Sequence, residues 1–421
     1  MVLFRRQRRG SKPFQKLELE LEVTELSWSL EKGSISYRFR VLLPAAGDAV
    51  LALNRGLEAK RVEGASSYRV KRSVEGDLRW ATLTLLILKG AERSVSGFVE
   101  GVPEDFTLSR LGVRYGRAVL SGELVWHPVL GSGLATWGTR GHVRRYVIHL
   151  ASGKGNVVGP GTLSDTGQGL VFRGEPRLRN PGVTVIGGVH WQEREGMRVA
   201  TARPEKVGFQ EARSVLEALN KAFGEAGELL EAPAPRYRVA ALVWDDIEPF
   251  ACDDMLVLRL SVARALARGN QLALYEAVYT ASVHMVYNSP LESLRDYWLY
   301  ETLPGALSLY VLATGFGGEA VEAARSRLLQ CVEAAGGSRK LPAPASISVP
   351  KNPRQHASVS CLAPLLLWNA VGSRNMETLG SLVGCTLKRG SISEQSFEAC
   401  AEELLGSVAA NVMRILRKGV Q

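Results

Sequence analysis

The feature that most constrains this chain is a change of hydrophobic period partway along it. Leu17 to Leu26 reads L-E-L-E-L-E-V-T-E-L, largely alternating apolar with polar, as a strand with one buried face does. After the turn-forming pair Lys32-Gly33, Ser34 to Leu43 continues with S-I-S-Y-R-F-R-V-L-L. Further β-rich runs lie at Ser67 to Val70, Trp80 to Leu88, Arg117 to Trp126 and Tyr146 to Leu150. Gly-rich turns between several of them suit a β-sandwich or an open barrel. Val183 to Trp191 and Met197 to Thr201 read as the last strands of this half. From Gln210 the spacing becomes three to four, with Val215, Leu216, Leu219 and Phe223 repeating as on a helix face. One strand, Tyr237 to Trp244, precedes helical stretches near 255–268, 270–287, 291–301 and 304–314. Beyond the loop Leu341 to His356 the tail is helical again, near 359–373, 375–388 and 394–417. Strands first, a mixed region next and helices last exclude a doubly wound sheet and imply an α+β chain.

The 421 residues allow two to three domains, each able to bury a core. With 46% hydrophobic and 22% charged residues, the chain is neither disordered nor fibrous. Cys252, Cys331, Cys361, Cys385 and Cys400 form no C-x-x-C pair. That argues against a zinc finger and reads as reduced, buried thiols. The net charge is +10, and Arg5, Arg6, Arg8, Arg9, Lys12 and Lys16 supply six of it before Glu18. Such an arm offers a surface to nucleic acid or an anionic membrane; the plainer reading is a frayed, solvated terminus. No apolar stretch follows it as in a signal peptide, and runs such as Ala81 to Leu88 are too short to span a bilayer. A cytoplasmic chain is expected.

Four segments carry a resemblance. Asp296-Tyr297-Trp298-Leu299-Tyr300-Glu301 resembles D-L-W-L-N-E, and Glu123-Leu124-Val125-Trp126-His127-Pro128 looks like a W-Y-P turn. Leu362 to Leu367 resembles a G-A-L-V-L helix, and Gly390 to Phe397 a G-x-V-T-x-E-D-F connector. All four, in this order, are similar to the gluzincin aminopeptidases, the family of membrane alanyl aminopeptidase and leukotriene hydrolase. The resemblance implies a saddle-like N-terminal β-sandwich followed by a thermolysin-like α/β domain that ends in helices. Its boundaries are a basic arm at 1–14, a first domain at 15–204 and a second at 205–421, helical from about 357.

In that family H-E-x-x-H places two imidazoles on one helix face, and a glutamate on the next helix completes a zinc site. Laid against this chain, the motif falls on Thr280-Ala281-Ser282-Val283-His284. Thr280 then replaces the first histidine and Ala281 the general base, leaving His284 and Glu301 as remnant metal candidates. The sixteen residues from 285 to 300 compare with eighteen in the family. Two ligands fall short of the three that catalytic zinc takes, so no cofactor is expected. His284 is expected half-buried, with Glu301 as a hydrogen-bond partner. The amine-binding G-A-M-E-N segment corresponds to Phe250 to Asp254, which leaves Asp253 or Asp254 for an amine, or simply a solvated acidic loop. The family's tyrosine falls near Val359-Ser360, and Tyr300 is expected to line the cleft. These positions imply a catalytically inactive metallo-aminopeptidase-like protein, a pseudo-peptidase binding or assembly subunit with a protein or peptide partner. The alternatives are a zinc-dependent aminopeptidase or hydrolase with a rearranged metal site, and a nucleic-acid-associated protein acting through Arg5, Arg6, Arg8 and Arg9.

Overall fold

The computed structural model describes residues 18–73, 83–105, 111–114, 116–131, 142–151, 156–167, 169–178, 182–348, 350–372 and 375–419. The chain divides into two compact units, and the basic arm lies outside the described residues.

The first unit comprises residues up to 152 with 163–175 and 180–184. Its strand Glu18–Ser29 buries Leu19, Leu21 and Val23 and turns the intervening glutamates outward, as the alternation requires. This strand lies antiparallel to Ser34–Leu42 and parallel to His142–Leu150. The long strand Leu83–Gly101 pairs on one side with both Ser34–Leu42 and Gly47–Asn54, and on the other with Leu57–Ser73. The W-H-P turn is an internal anchor. Trp126 and His127 are fully buried. The Trp126 indole donates to the Val183 carbonyl at 2.8 Å, and the Val183 amide donates to His127 Nε2 at 2.8 Å. His127 Nδ1 lies 3.0 Å from the Pro128 carbonyl. With Nε2 accepting, Nδ1 carries the proton and the ring is neutral.

The second unit holds residues 153–162, 176–179 and 185–421. Its sheet runs His190–Arg194, Met197–Thr201, Val239–Val243, Met255–Arg259, Phe250–Cys252. Met197–Thr201, expected to end the first half, instead lies parallel to Val239–Val243 and joins this sheet. Val239–Val243 is buried along its whole length, so it needs neighbours on both edges and cover on both faces. Met255–Arg259 is a strand rather than the start of a helix. A short run such as M-L-V-L fits either pattern, and the parallel partner decides it.

Five helices follow from the sheet: α1 (Phe209–Leu230), α2 (Leu260–Leu266), α3 (Gln271–Val286), α4 (Tyr297–Gly315) and α5 (Gly318–Ala334). α1 buries Leu216, Leu219, Phe223, Ala226 and Leu230 at helical spacing. α4 is buried nearly all round from Trp298 to Leu312 and forms the centre of the core. Behind it, Pro353–His356 and Ala363–Leu367 are α-helical, while Ala357–Leu362 and Trp368–Gly372 are wider π turns. Helices Met376–Lys388, Glu394–Leu405 and Ala409–Lys418 close the unit.

The cysteines depart from the expectation of reduced thiols. Cys331 is disulfide-bonded to Cys361, tying α5 to the first π turn, and Cys385 to Cys400, tying two helices of the tail. Cys252 is buried and belongs to neither disulfide. The separations of 30 and 15 residues match no short motif, so helix packing makes these pairs and linear spacing gives no sign of them. Among the described residues, no helix is long and apolar enough to cross a membrane.

Candidate functional site

Two helix starts position the site. Asn270 caps α3, its side-chain oxygen accepting from the Leu272 and Ala273 amides at 3.0 Å each. That start fixes Tyr275, Glu276 and Tyr279 within the second and third turns. α4 is held from behind by the connector that the sequence singles out. The buried Asp296 carboxylate accepts from the Glu394 amide at 2.8 Å. The Glu292 amide donates to the Ile392 carbonyl at 3.0 Å, and Trp298 meets Phe397 edge-on at 6.1 Å between ring centres. One turn beyond Trp298, Glu301 leaves α4.

Around Glu301 the structure gathers tyrosines and carboxylates. The Tyr297 hydroxyl donates to Glu301 at 2.9 Å. Burial raises the Glu301 carboxyl above its usual range; His356 and the Tyr297 hydrogen bond oppose this, while Glu248 adds to it. Burial raises the Tyr279 and Tyr287 hydroxyls well above 10, and the charge of Glu301 pushes both the same way. On α3 the rings of Tyr275 and Tyr279 lie 6.0 Å apart. Between them in sequence, Glu276 sits 3.7 Å from Arg259. Burial raises its carboxyl, Arg259 and Arg327 oppose, and Glu248 and Asp245 reinforce. Half-buried phenols and two raised carboxyls thus have charges of both signs as neighbours.

The residues picked from sequence are placed differently. His284 is buried, its Nδ1 3.2 Å from the Tyr237 hydroxyl and its ring stacked on Tyr237 at 5.9 Å. Burial lowers its pKa to about 4, so it is neutral in neutral solution. It lies five positions after Tyr279, about 140° around a helix, which turns it toward Tyr237. Its expected bond to Glu301 is therefore replaced by one to Tyr237. Thr280 donates back to the Glu276 carbonyl at 2.9 Å, and Ala281 is fully buried in the core. Asp253 and Asp254 are the two turn residues of the hairpin Phe250–Cys252 to Met255–Arg259. Asp253 takes a left-handed φ of 51°, which aspartate tolerates. Asp254 accepts from the Gly161 amide at 2.7 Å, and burial raises its carboxyl. It holds a loop rather than a solvated charge. Tyr300 is buried, lies between Tyr287 and Tyr297, and donates to the Ser289 carbonyl, so it packs the core and does not line an opening. Val359 and Ser360 lie in the first π turn. Arg5, Arg6, Arg8 and Arg9 lie outside the described residues.

Sequence reading misses Tyr275, Tyr279 and His356, and sets Glu276 aside as two turns from His284. A signal is present. Tyr275-Glu276-Ala277-Val278-Tyr279 has the H-E-x-x-H spacing with tyrosine at both histidine positions, and a search keyed on histidine passes over it. Residues i and i+4 share a face, and of this pair Tyr279 is the one that the charge of Glu301 reaches.

This set does not fit zinc. A tyrosine must lose its proton to serve as a strong ligand, and burial opposes that at both Tyr275 and Tyr279. Among the described residues, no three His, Cys, Asp or Glu side chains come together as a metal site.

No protein-family model matches this sequence, and no curated protein matches it. Solved structures do match, and they show the fold: the chain has a gluzincin aminopeptidase-type fold. One similar structure is an M1 zinc metallopeptidase from Deinococcus radiodurans, 14% identical, with 97% of this chain and 93% of that chain covered at a TM-score of 0.61. Another is native yeast LTA4 hydrolase, 12% identical, covering 100% of this chain and 72% of that chain at a TM-score of 0.67.

Proposed function

We propose that this chain is a peptidase-type fold used for recognition, with the old catalytic cluster kept as a binding site for a protein or peptide and without zinc hydrolysis. One observation carries the reading: Tyr279, which the charge of Glu301 reaches, and Tyr275 one turn before it on α3 repeat the H-E-x-x-H spacing with phenols in place of imidazoles. Tyrosine is a favoured interface anchor, since it buries a large rigid ring and keeps a polar end. In this chain Tyr275, Tyr279, Tyr287 and Tyr297 are all half-buried.

A second reading is favoured by Glu276. Within Y-E-x-x-Y it has the sequence place that the general base has in H-E-x-x-H, which supports a hydrolase with rearranged ligands. The basic arm supports a third reading, nucleic-acid association through Arg5, Arg6, Arg8 and Arg9. A cytoplasmic setting remains part of the proposal, although the two disulfides remove the reduced thiols that supported it.

The test is hydrolysis of aminoacyl reporter amides, with and without added zinc and with a chelator. No turnover above buffer is expected in any arm, because the metal-activated water that drives this chemistry has no ligand set to hold it. Turnover that survives repurification and stops on chelation, or on Glu276→Gln, would establish the second reading instead.

A further inference from the structure

We propose that the free edge of strand Leu57–Ser73 is a docking surface for an extended acidic strand of a protein partner. The strand pairs along its length with Leu83–Gly101. The far side of Leu83–Gly101 is already taken by Ser34–Leu42 and Gly47–Asn54. Among the described residues, therefore, no strand pairs with the outer edge of Leu57–Ser73.

The two halves of that edge differ. In the first half Leu57 and Ala59 are buried, Lys60 is paired with Glu58 and Glu100, and register shifts break the ladder between Lys60 and Ala65. From Ser66 to Arg72 every residue is exposed. The stretch reads S-S-Y-R-V-K-R. Tyr68 is 41% and Val70 52% exposed, on one face; Arg69 and Lys71 alternate with them on the other. No ion pair to Arg69, Lys71 or Arg72 is found among the described residues. The cross-strand partners of Ser67 to Arg72 are Lys89, Leu88, Ile87, Leu86, Leu85 and Thr84, with no carboxylate among them. The single charge there, Lys89, is already held by Asp48.

An unpaired edge presents a row of N–H and C=O groups to whatever strand arrives. The three cations repel a second copy of the same edge and attract an acidic one. The alternation sets the arriving pattern: apolar side chains against Tyr68 and Val70, acidic ones against Arg69 and Lys71. A polyanion without a strand backbone, such as nucleic acid, satisfies the charges and leaves the ladder empty, so a peptide fits better.

The test uses a labelled eight-residue peptide of alternating valine and glutamate, followed by fluorescence anisotropy. It should bind the full chain and lose about tenfold in affinity, about 1.4 kcal/mol, on the paired change Arg69→Glu with Lys71→Glu. Both residues are exposed, and an unchanged melting temperature confirms that this variant folds. N-methylation of alternate peptide amides leaves the charge intact and should weaken binding by a similar factor. Equal binding of the N-methylated peptide, or tighter binding of a single-stranded oligonucleotide, reduces the edge to a polyanion patch and overturns the proposal. So does the absence of any peptide binding.

Discussion

Replacing both tyrosines, Tyr275→His with Tyr279→His, is expected to raise bound zinc from under about one-tenth of an ion to about one ion per chain, because three ligands then converge. The charge of Glu301 reaches Tyr279, the Tyr275 ring lies 6.0 Å from Tyr279, and Glu276 stands between them in sequence. Two imidazoles one turn apart on one face reach a single ion. Elemental analysis after desalting reads the result directly. The matched control is Thr280→His with Ala281→Glu. Ala281 is fully buried in the core, so a charge there lowers stability, and its helix face looks away from Glu301. If the control takes up zinc and the tyrosine pair does not, the catalytic frame lies at 280–284 and Tyr275 and Tyr279 do not occupy the ligand positions.

The second large effect concerns the disulfides. Closing loops of 30 and 15 residues restricts the unfolded chain, and each bridge should contribute about 3–4 kcal/mol on that account. Cys331→Ser and Cys385→Ser should each lower the melting temperature by about 10 °C in a unit of this size. The oxidised chain should also be about 4 Da lighter than the reduced one, since each bridge forms with loss of two hydrogens. A chain purified without reductant that carries five free thiols, and melts alike with and without reductant, contradicts the pairing.

Much of the fold is legible in the sequence because its period is local. The L-E-L-E-L-E alternation forms a strand with its leucines inside, and the Leu216, Leu219, Phe223 spacing forms the buried face of α1. The resembling segments are legible for a different reason: Asp296, Trp298 and Phe397 belong to one interlocked contact between α4 and the connector, so their residue types are constrained together. Long-range partners decide the rest. Met197–Thr201 and Met255–Arg259 defeat a local reading because only the parallel strand Val239–Val243 between them tells which sheet they join. The cysteine pairs depend on helix packing in the same way. At the site, Glu301 is legible from its motif, whereas His284 draws attention for its chemistry and yet faces Tyr237. Tyr275 and Tyr279 are passed over because a search keyed on histidine does not stop at a tyrosine.

The zinc content of the wild-type chain decides whether phenols, rather than metal ligands, surround Glu301. The protein is purified without chelator, incubated with excess zinc, desalted and analysed for metal. Under about one-tenth of an ion per chain is expected, with no change on Glu301→Gln. About one ion per chain, lost on Glu301→Gln, would contradict it.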